Sequence, residues 1–97
     1  MDKATARRLS RITTKLNNVV VFLREHNHLA EAISCLDVLT ENHSSFEAGE
    51  YAYEYGLCYE KLGETERAKA YLQIAIRQNP AVTRFQDALS MITGETN

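Results

Sequence analysis

Apolar residues recur at helical spacing along the chain, and no segment alternates between apolar and polar residues as a strand would. The first stripe contains positions spaced by three and four residues: Leu9, Ile12, Leu16, Val19, Val20 and Leu23. On a helix these positions share one face, because each residue advances the direction of the side chain by about 100°. The pattern therefore predicts a core-facing helix from near Ala4 to His26.

Two further helices follow the first. The second is expected to end near Asn42 and to have Asn27 as its N-terminal cap. Its apolar positions are Leu29, Ala32, Ile33, Leu36 and Leu39. Ser44, with Glu47 three residues later, has the pattern of a capping box at the start of the third helix. The core side of that helix carries Ala48, Ala52, Tyr55, Tyr59 and Leu62. Gly63 is expected to end it, since glycine adopts the left-handed conformation readily.

The last two helices are separated by Pro80, which is the only proline in the chain. The fourth is expected to start at Thr65 and to pack through Ala68, Leu72, Ala75 and Ile76. Proline cannot continue a helix, but it is accepted in the first turn of a following one. The fifth helix carries Val82, Phe85, Leu89 and Ile92, and Gly94 is expected to stop it. The pattern predicts an all-α fold of about five helices.

Composition supports one domain over residues 1–97, with 44% hydrophobic and 25% charged residues, as in an ordinary globular protein. The longest apolar run, residues 19–23, is far too short to span a bilayer. The N-terminus shows no apolar stretch that ends in a small-residue cleavage site, so no signal peptide and no membrane association are expected. These features predict a cytoplasmic protein.

The residue types that carry chemistry are not arranged for catalysis. Cys35 and Cys58 are expected to be buried free thiols, since no activating base lies near either in sequence. His26 and His28 are two residues apart and cannot share a helix face, and no further ligand lies at metal-binding spacing. The chain also has no glycine-rich phosphate loop and no serine-centred elbow. We expect no enzyme activity, no metal and no cofactor.

The charge is distributed unevenly along the chain. Residues 1–15 contain five basic residues and one acidic residue, a charge of +4, whereas the whole chain has a net charge of −2. Four of the basic residues cluster on one flank of the first helix: Arg7, Arg8, Arg11 and Lys15. Such a cluster could contact nucleic-acid phosphates. A solvated helix end or a contact with an acidic partner is the favoured explanation, because no aromatic residues interleave the cluster. Nucleic-acid binding is the less favoured interpretation.

Residues 52–80 carry a spaced motif: Ala52, Tyr55, Gly56, Tyr59, Gly63, Ala68, Leu72, Ala75 and Pro80. This order resembles the tetratricopeptide repeat (TPR), a 34-residue helix–turn–helix unit. Gly56, Tyr59, Ala68 and Pro80 match its pattern directly. Ala52, Tyr55 and Leu72 replace the usual Trp, Leu and Phe. Gly56 and Ala68 are expected to let the two helices of the hairpin approach closely.

The same template fits residues 13–46 more weakly. Val20 stands where Gly56 stands in the second copy, and Ala32 precedes Ala68 by 36 residues. The resemblance therefore implies a degenerate repeat over 13–46, a TPR over 49–80 and a cap helix over 81–93. Together these would form two helical hairpins and a cap, arranged as a right-handed solenoid.

The resemblance also implies where a partner binds, because TPR proteins generally bind polypeptides on the concave surface formed by the first helix of each hairpin. The predicted groove has an apolar row with polar edges: Asn17, Val21, Phe22, Tyr53 and Leu57, flanked by Glu50, Glu54 and Lys61. Such a surface suits an amphipathic helical segment. The alternative is that the cap helix or the long first helix covers these residues as additional core.

These features predict a non-enzymatic interaction module, a small chaperone or adaptor that holds one partner polypeptide. In size and architecture the chain is similar to the small bacterial TPR chaperones that keep needle subunits of type III secretion soluble. A structural subunit of a larger complex, or a homo-oligomer that buries the same groove, is the alternative.

Overall fold

The computed structural model describes residues 18–42 and 49–94, and the regular secondary structure of these residues is helical. They form five helices: α1 (18–25), α2 (Leu29–Asn42), α3 (Glu50–Lys61), α4 (Thr65–Gln78) and α5 (Thr83–Thr93). The predicted all-α, TPR-like fold class is confirmed. The predicted start of α1 near Ala4 lies outside the described residues. Within them, no helix is long and apolar enough to cross a membrane.

The chain divides into two compact units, residues 1–44 and 45–97. The first unit contains α1 and α2, and the second contains α3, α4 and α5. The boundary falls close to the end of the predicted first repeat at residue 46. The assignment of residues 1–97 to a single domain remains a prediction.

The turn between α1 and α2 is centred on Asn27, whose backbone is left-handed with φ of 65°. The Asn27 N–H donates to the Arg24 carbonyl at 3.1 Å, and the His28 N–H donates to the Leu23 carbonyl at 2.7 Å. This pair of bonds is a Schellman motif, which satisfies the last carbonyls of a helix. Asn27 therefore ends α1 and does not cap α2, contrary to the sequence-based expectation.

The turn between α3 and α4 repeats this geometry around Gly63, whose φ is 81°. Gly63 donates to the Glu60 carbonyl at 3.0 Å, and Glu64 donates to the Tyr59 carbonyl at 2.9 Å. Asn27 and Gly63 are 36 residues apart, which is also the separation of Ala32 and Ala68. The two hairpins thus use the same turn in the same sequence register, as expected if they descend from one repeat.

Among the described residues of the first unit, burial follows the predicted stripes except at Val19. The fully buried or nearly buried apolar residues are Val20, Leu29, Ala32, Leu36 and Leu39. Val19 was placed on the core stripe, but its side chain is nearly half exposed. Two adjacent residues on a helix point about 100° apart, so Val20 and Val19 cannot both face the centre of the same core.

Helices α3 and α4 cross at close range at Gly56. A Cβ atom at this position would lie 2.8 Å from Leu72 Cγ and 3.3 Å from the Ala68 carbonyl oxygen. Leu72 and Ala68 are both fully buried. The expected close packing at Gly56 and Ala68 is therefore present. By contrast, Leu62 was placed on the core side and is exposed, because it lies at the end of α3 beyond the crossing.

The start of α3 differs from the predicted capping box. Gly49 precedes the helix with φ of 90°, and no side chain caps the first turn. This left-handed residue breaks the helix, so α3 does not continue back to Ser44, as the predicted capping box would require. Ser44 and Glu47 themselves lie outside the described residues. A Cβ at Gly49 would lie 2.6 Å from Phe85 Cε2 and 2.8 Å from the Ala75 carbonyl, so both the backbone angle and the packing require glycine.

Pro80 lies in the connection from α4 to α5, as expected. The Val82 N–H donates to the Asn79 carbonyl at 3.3 Å, so Pro80 is the second residue of a four-residue turn rather than part of the first turn of α5. Gly94 ends α5 with φ of 75°, as predicted. Phe85 is fully buried, whereas Leu89 and Ile92 are half-buried, so α5 packs mainly through its first turn.

We predict that Gly56→Ala destabilises the protein although alanine favours helix. Overpacking costs about 1–3 kcal/mol, which exceeds the gain in helix propensity of about 1 kcal/mol over most of that range. The melting midpoint should therefore fall. Ala70→Gly, at an exposed site on α4, measures the propensity term alone. A Gly56→Ala variant that melts above the wild type would show that the helices do not cross this closely.

We also predict that the two hairpin turns accept each other's residue. Gly63→Asn and Asn27→Gly should leave the melting midpoint nearly unchanged, because both residues adopt positive φ. Gly63→Val should lower the stability by roughly 1–2 kcal/mol. No atom lies within 4 Å of a Cβ built at Gly63, so the cost is conformational rather than steric. Equal stability of the Asn and Val variants in urea melts would contradict the left-handed turn.

Candidate functional site

The predicted groove residues of the second unit lie along one face of α3. Tyr53, Glu54, Leu57 and Lys61 follow Glu50 by three, four, seven and eleven residues, which places all five on one side of the helix. Tyr53 and Leu57 are half-buried and Lys61 is exposed. Glu54 is buried and has a polar or electrostatic interaction of its own. The face therefore offers a partially exposed apolar middle and one exposed cation at its C-terminal end.

The N-terminal part of this face is covered by α5. The Phe85 ring lies 5.0 Å from the Tyr53 ring, centroid to centroid. Arg84 forms an ion pair with the Glu50 carboxylate, and its guanidinium carbon is 5.0 Å from the centroid of Tyr53. For Glu50 and Tyr53, the structure thus favours the alternative in which the cap helix packs on predicted groove residues. Leu57 and Lys61 lie one and two turns further along α3.

The predicted site residues of the first unit belong to α1. Val21 is half-buried, and Phe22 is 57% exposed. The Phe22 ring stacks on His26 at 4.1 Å, and a nitrogen of His26, Nδ1, lies 2.9 Å from the Phe22 carbonyl oxygen. Asn17 and the predicted basic flank lie outside the described residues, the flank being Arg7, Arg8, Arg11 and Lys15. A groove shared by α1 and α3 stays a prediction.

Two residues of α5 were missed by sequence reasoning. Arg84 follows Glu50 by 34 residues, and Met91 follows Leu57 by 34 residues. The 34-residue period of the resembled repeat could have identified both. Met91 is 83% exposed, so it places a large apolar side chain on the surface. Arg84 contacts the α3 face directly, and Met91 lies two turns later on α5.

A stack of tyrosines on α3 and α4 was also missed. The ring of Tyr71 lies 4.9 Å from Tyr55 and 5.5 Å from Tyr59, and the planes are within 23° of parallel. Arg67 lies over the outer ring, 5.0 Å from the Tyr59 centroid. Offset stacking and cation–π contacts add to the burial energy of such residues. The stack therefore stiffens the hairpin that carries the α3 face.

The candidate chemical groups of the described residues are structural in character. His26 and His28 lie in the α1–α2 turn, and no cluster of three potential metal ligands exists in the described part of the chain. Cys35 and Cys58 are free thiols, and Cys58 is fully buried. Burial raises the pKa of the Cys35 thiol above its ordinary value. A thiol with a raised pKa holds less thiolate at neutral pH, which is the opposite of an activated nucleophile.

We predict that Cys35 reacts slowly with iodoacetamide in the native protein. The thiolate is the reactive form, so the pH at half-maximal rate should lie above that of the same cysteine in urea. Peptide mass spectrometry separates the two sites, and Cys58 should remain unmodified until the protein unfolds. A native midpoint for Cys35 below the unfolded value would indicate an activated thiol instead.

Comparison with known proteins adds one finding about the second unit. Residues 50–81 match the family model of the tetratricopeptide repeat. The matched residues contain α3, α4 and the turn with Pro80, and they make up about a third of the chain. No curated protein and no solved structure gives a significant match. The match supports the predicted TPR character of the chain at the hairpin formed by α3 and α4.

Proposed function

We propose that this protein is a non-enzymatic protein–protein interaction module, a small chaperone or adaptor that holds one partner polypeptide. The observation that carries the proposal is the match of residues 50–81 to the tetratricopeptide repeat, a family whose members generally bind polypeptides. The helix that would carry the binding surface is α3, the first helix of the matched hairpin.

The proposed partner is an amphipathic helical segment. Leu57 and Met91 supply apolar contacts at equivalent positions of the repeat, and Met91 would be largely desolvated by a partner. Lys61 and Asp87 are exposed and carry opposite charges on the same two helices. A helix with an apolar stripe and charged edges complements such a surface. In the first unit, Val21 stands at the sequence position equivalent to Leu57, and Val21 and Phe22 are separately proposed as partner contacts.

A more specific proposal is that the protein is a chaperone for needle subunits of type III secretion. Its support is the similarity in size and architecture to those small TPR chaperones. A cytoplasmic location belongs to this proposal, since a reducing compartment keeps Cys35 and Cys58 as the free thiols seen in the structure.

A homo-oligomer that buries the same surface is the second candidate. The exposed apolar side chains of Phe22 and Met91 favour it, since exposed apolar surface that no partner covers promotes self-association. Sedimentation equilibrium separates the two candidates. A chaperone or adaptor exchanges self-association for binding of its partner, whereas a permanent homo-oligomer keeps its mass when other proteins are present.

We predict that Leu57→Asp and Met91→Asp each weaken partner capture. Losing the burial of one large apolar side chain, about 1.5–3 kcal/mol, weakens binding by roughly 10- to 100-fold. The measurement is quantitative mass spectrometry of proteins captured from extracts of the cells that produce the chain. Val21→Asp extends the test to α1.

Leu62→Asp is the control, because Leu62 is a leucine at the end of the helix that carries Leu57, is exposed as Met91 is, and lies outside the proposed surface. Circular dichroism checks that each variant folds. Met91 is so exposed that its substitution should leave the melting midpoint unchanged. If Met91→Asp and Leu57→Asp capture the same proteins as the control, the proposed surface is wrong.

A further inference from the structure

The contact between α3 and α5 contains the elements of a guanidinium-binding site. The Glu50 carboxylate forms an ion pair with Arg84, and the centroid of the Tyr53 ring lies 5.0 Å from the Arg84 guanidinium carbon. The Phe85 ring lies at a similar distance, 5.2 Å. A carboxylate beside an aromatic face suits arginine better than lysine, because the planar guanidinium can pair with the carboxylate and stack on the aromatic ring.

The two partners of the ion pair differ in burial. The Glu50 side chain is only 9% exposed, whereas the Arg84 side chain is 51% exposed. A buried carboxylate needs a cation to offset its desolvation, so the requirement for a positive charge lies with Glu50. Arg84 reaches this position from the solvent side on a long, flexible side chain.

Helix α5 does not depend on Arg84 for its attachment. Phe85 is fully buried in a cluster with Ala52 and Ala75, and its ring fills the space above Gly49. The adjacent Val82 and Tyr53 are partly buried against the same cluster. The Arg84 side chain can therefore leave Glu50 while Phe85 keeps α5 in place.

We propose that Glu50 and Tyr53 form an arginine receptor that Arg84 fills in the free protein, and that an arginine of the partner polypeptide takes its place. This inference rests on the proposed function, because Glu50 and Tyr53 lie on the same side of α3 as Leu57, a residue of the proposed partner-binding surface. It specifies the partner further, as a segment with an arginine beside its apolar stripe. Arg84 is then an intramolecular competitor, and the apparent affinity of the site for the partner's arginine is its intrinsic affinity multiplied by the fraction of time that Arg84 leaves the site free.

The test is chemical rescue of an Arg84→Met variant with ethylguanidinium. Methionine keeps an unbranched apolar chain over Tyr53 and Phe85 but removes the charge, so the variant should melt below the wild type. Ethylguanidinium at about ten times its Kd should raise the melting midpoint by roughly 5–10 °C. Sodium chloride at the same concentration controls for ionic strength, and butylammonium tests the preference for a guanidinium over an amine.

The matched control is the double variant Glu50→Gln/Arg84→Met, which lacks the carboxylate and should not respond to ethylguanidinium. The wild type should respond less than Arg84→Met, because Arg84 already occupies the site. An equal response of the single and double variants would overturn the proposal. So would a wild-type response as large as that of Arg84→Met.

If Arg84→Met does not fold alone, the same comparison is made on the helical signal gained when ethylguanidinium is added. If ethylguanidinium produces no gain in helical signal that depends on Glu50, the proposal is also overturned. The experiment uses no partner protein. A failed rescue with an intact effect of Leu57→Asp on capture would therefore remove the arginine receptor and leave the proposed function in place.

Discussion

The crossing of α3 and α4 at Gly56 is the contact on which the second unit depends. Leu72 occupies the space that a side chain at position 56 would need, with the Ala68 backbone beside it. This crossing buries the small residues Gly56 and Ala68. The stacked rings of Tyr55, Tyr59 and Tyr71 brace the same two helices. The helix that carries the proposed binding face is thus held rigidly against α4.

A second glycine determines how α5 joins this hairpin. Gly49 has no side chain and a left-handed backbone, so Phe85 can lie directly against the start of α3. That placement brings Arg84 over Glu50 and Tyr53, and it leaves Met91 exposed about two turns later on α5. One end of the proposed face is therefore charged and covered by the chain itself, and the other is apolar and open. A partner that binds along the whole face would contact both ends, so the proposed segment carries an arginine beside its apolar stripe.

The candidate site shows how far sequence reasoning reaches. Tyr53 and Leu57 are half-buried, as is the predicted core residue Tyr59, so their place in a partner-binding groove stays a prediction. Sequence reasoning put Glu50 and Glu54 at the edges of a groove, but both are buried. Charged residues are normally exposed, so nothing in the sequence of α3 indicated their burial. The charge that pairs with buried Glu50 comes from Arg84, which lies 34 residues away in the chain.

The sequence by itself determined the helices, because their ends follow from local chemistry. Gly63, Gly94 and Pro80 end helices wherever the rest of the chain lies, and the apolar periodicity selects the buried face. The tertiary structure decided which exposed positions remain available. Val19 and Leu62 have the right periodicity and are exposed, whereas Glu50 is polar and buried. Burial depends on which helix packs against a position, and that is a property of contacts between distant residues rather than of the local pattern.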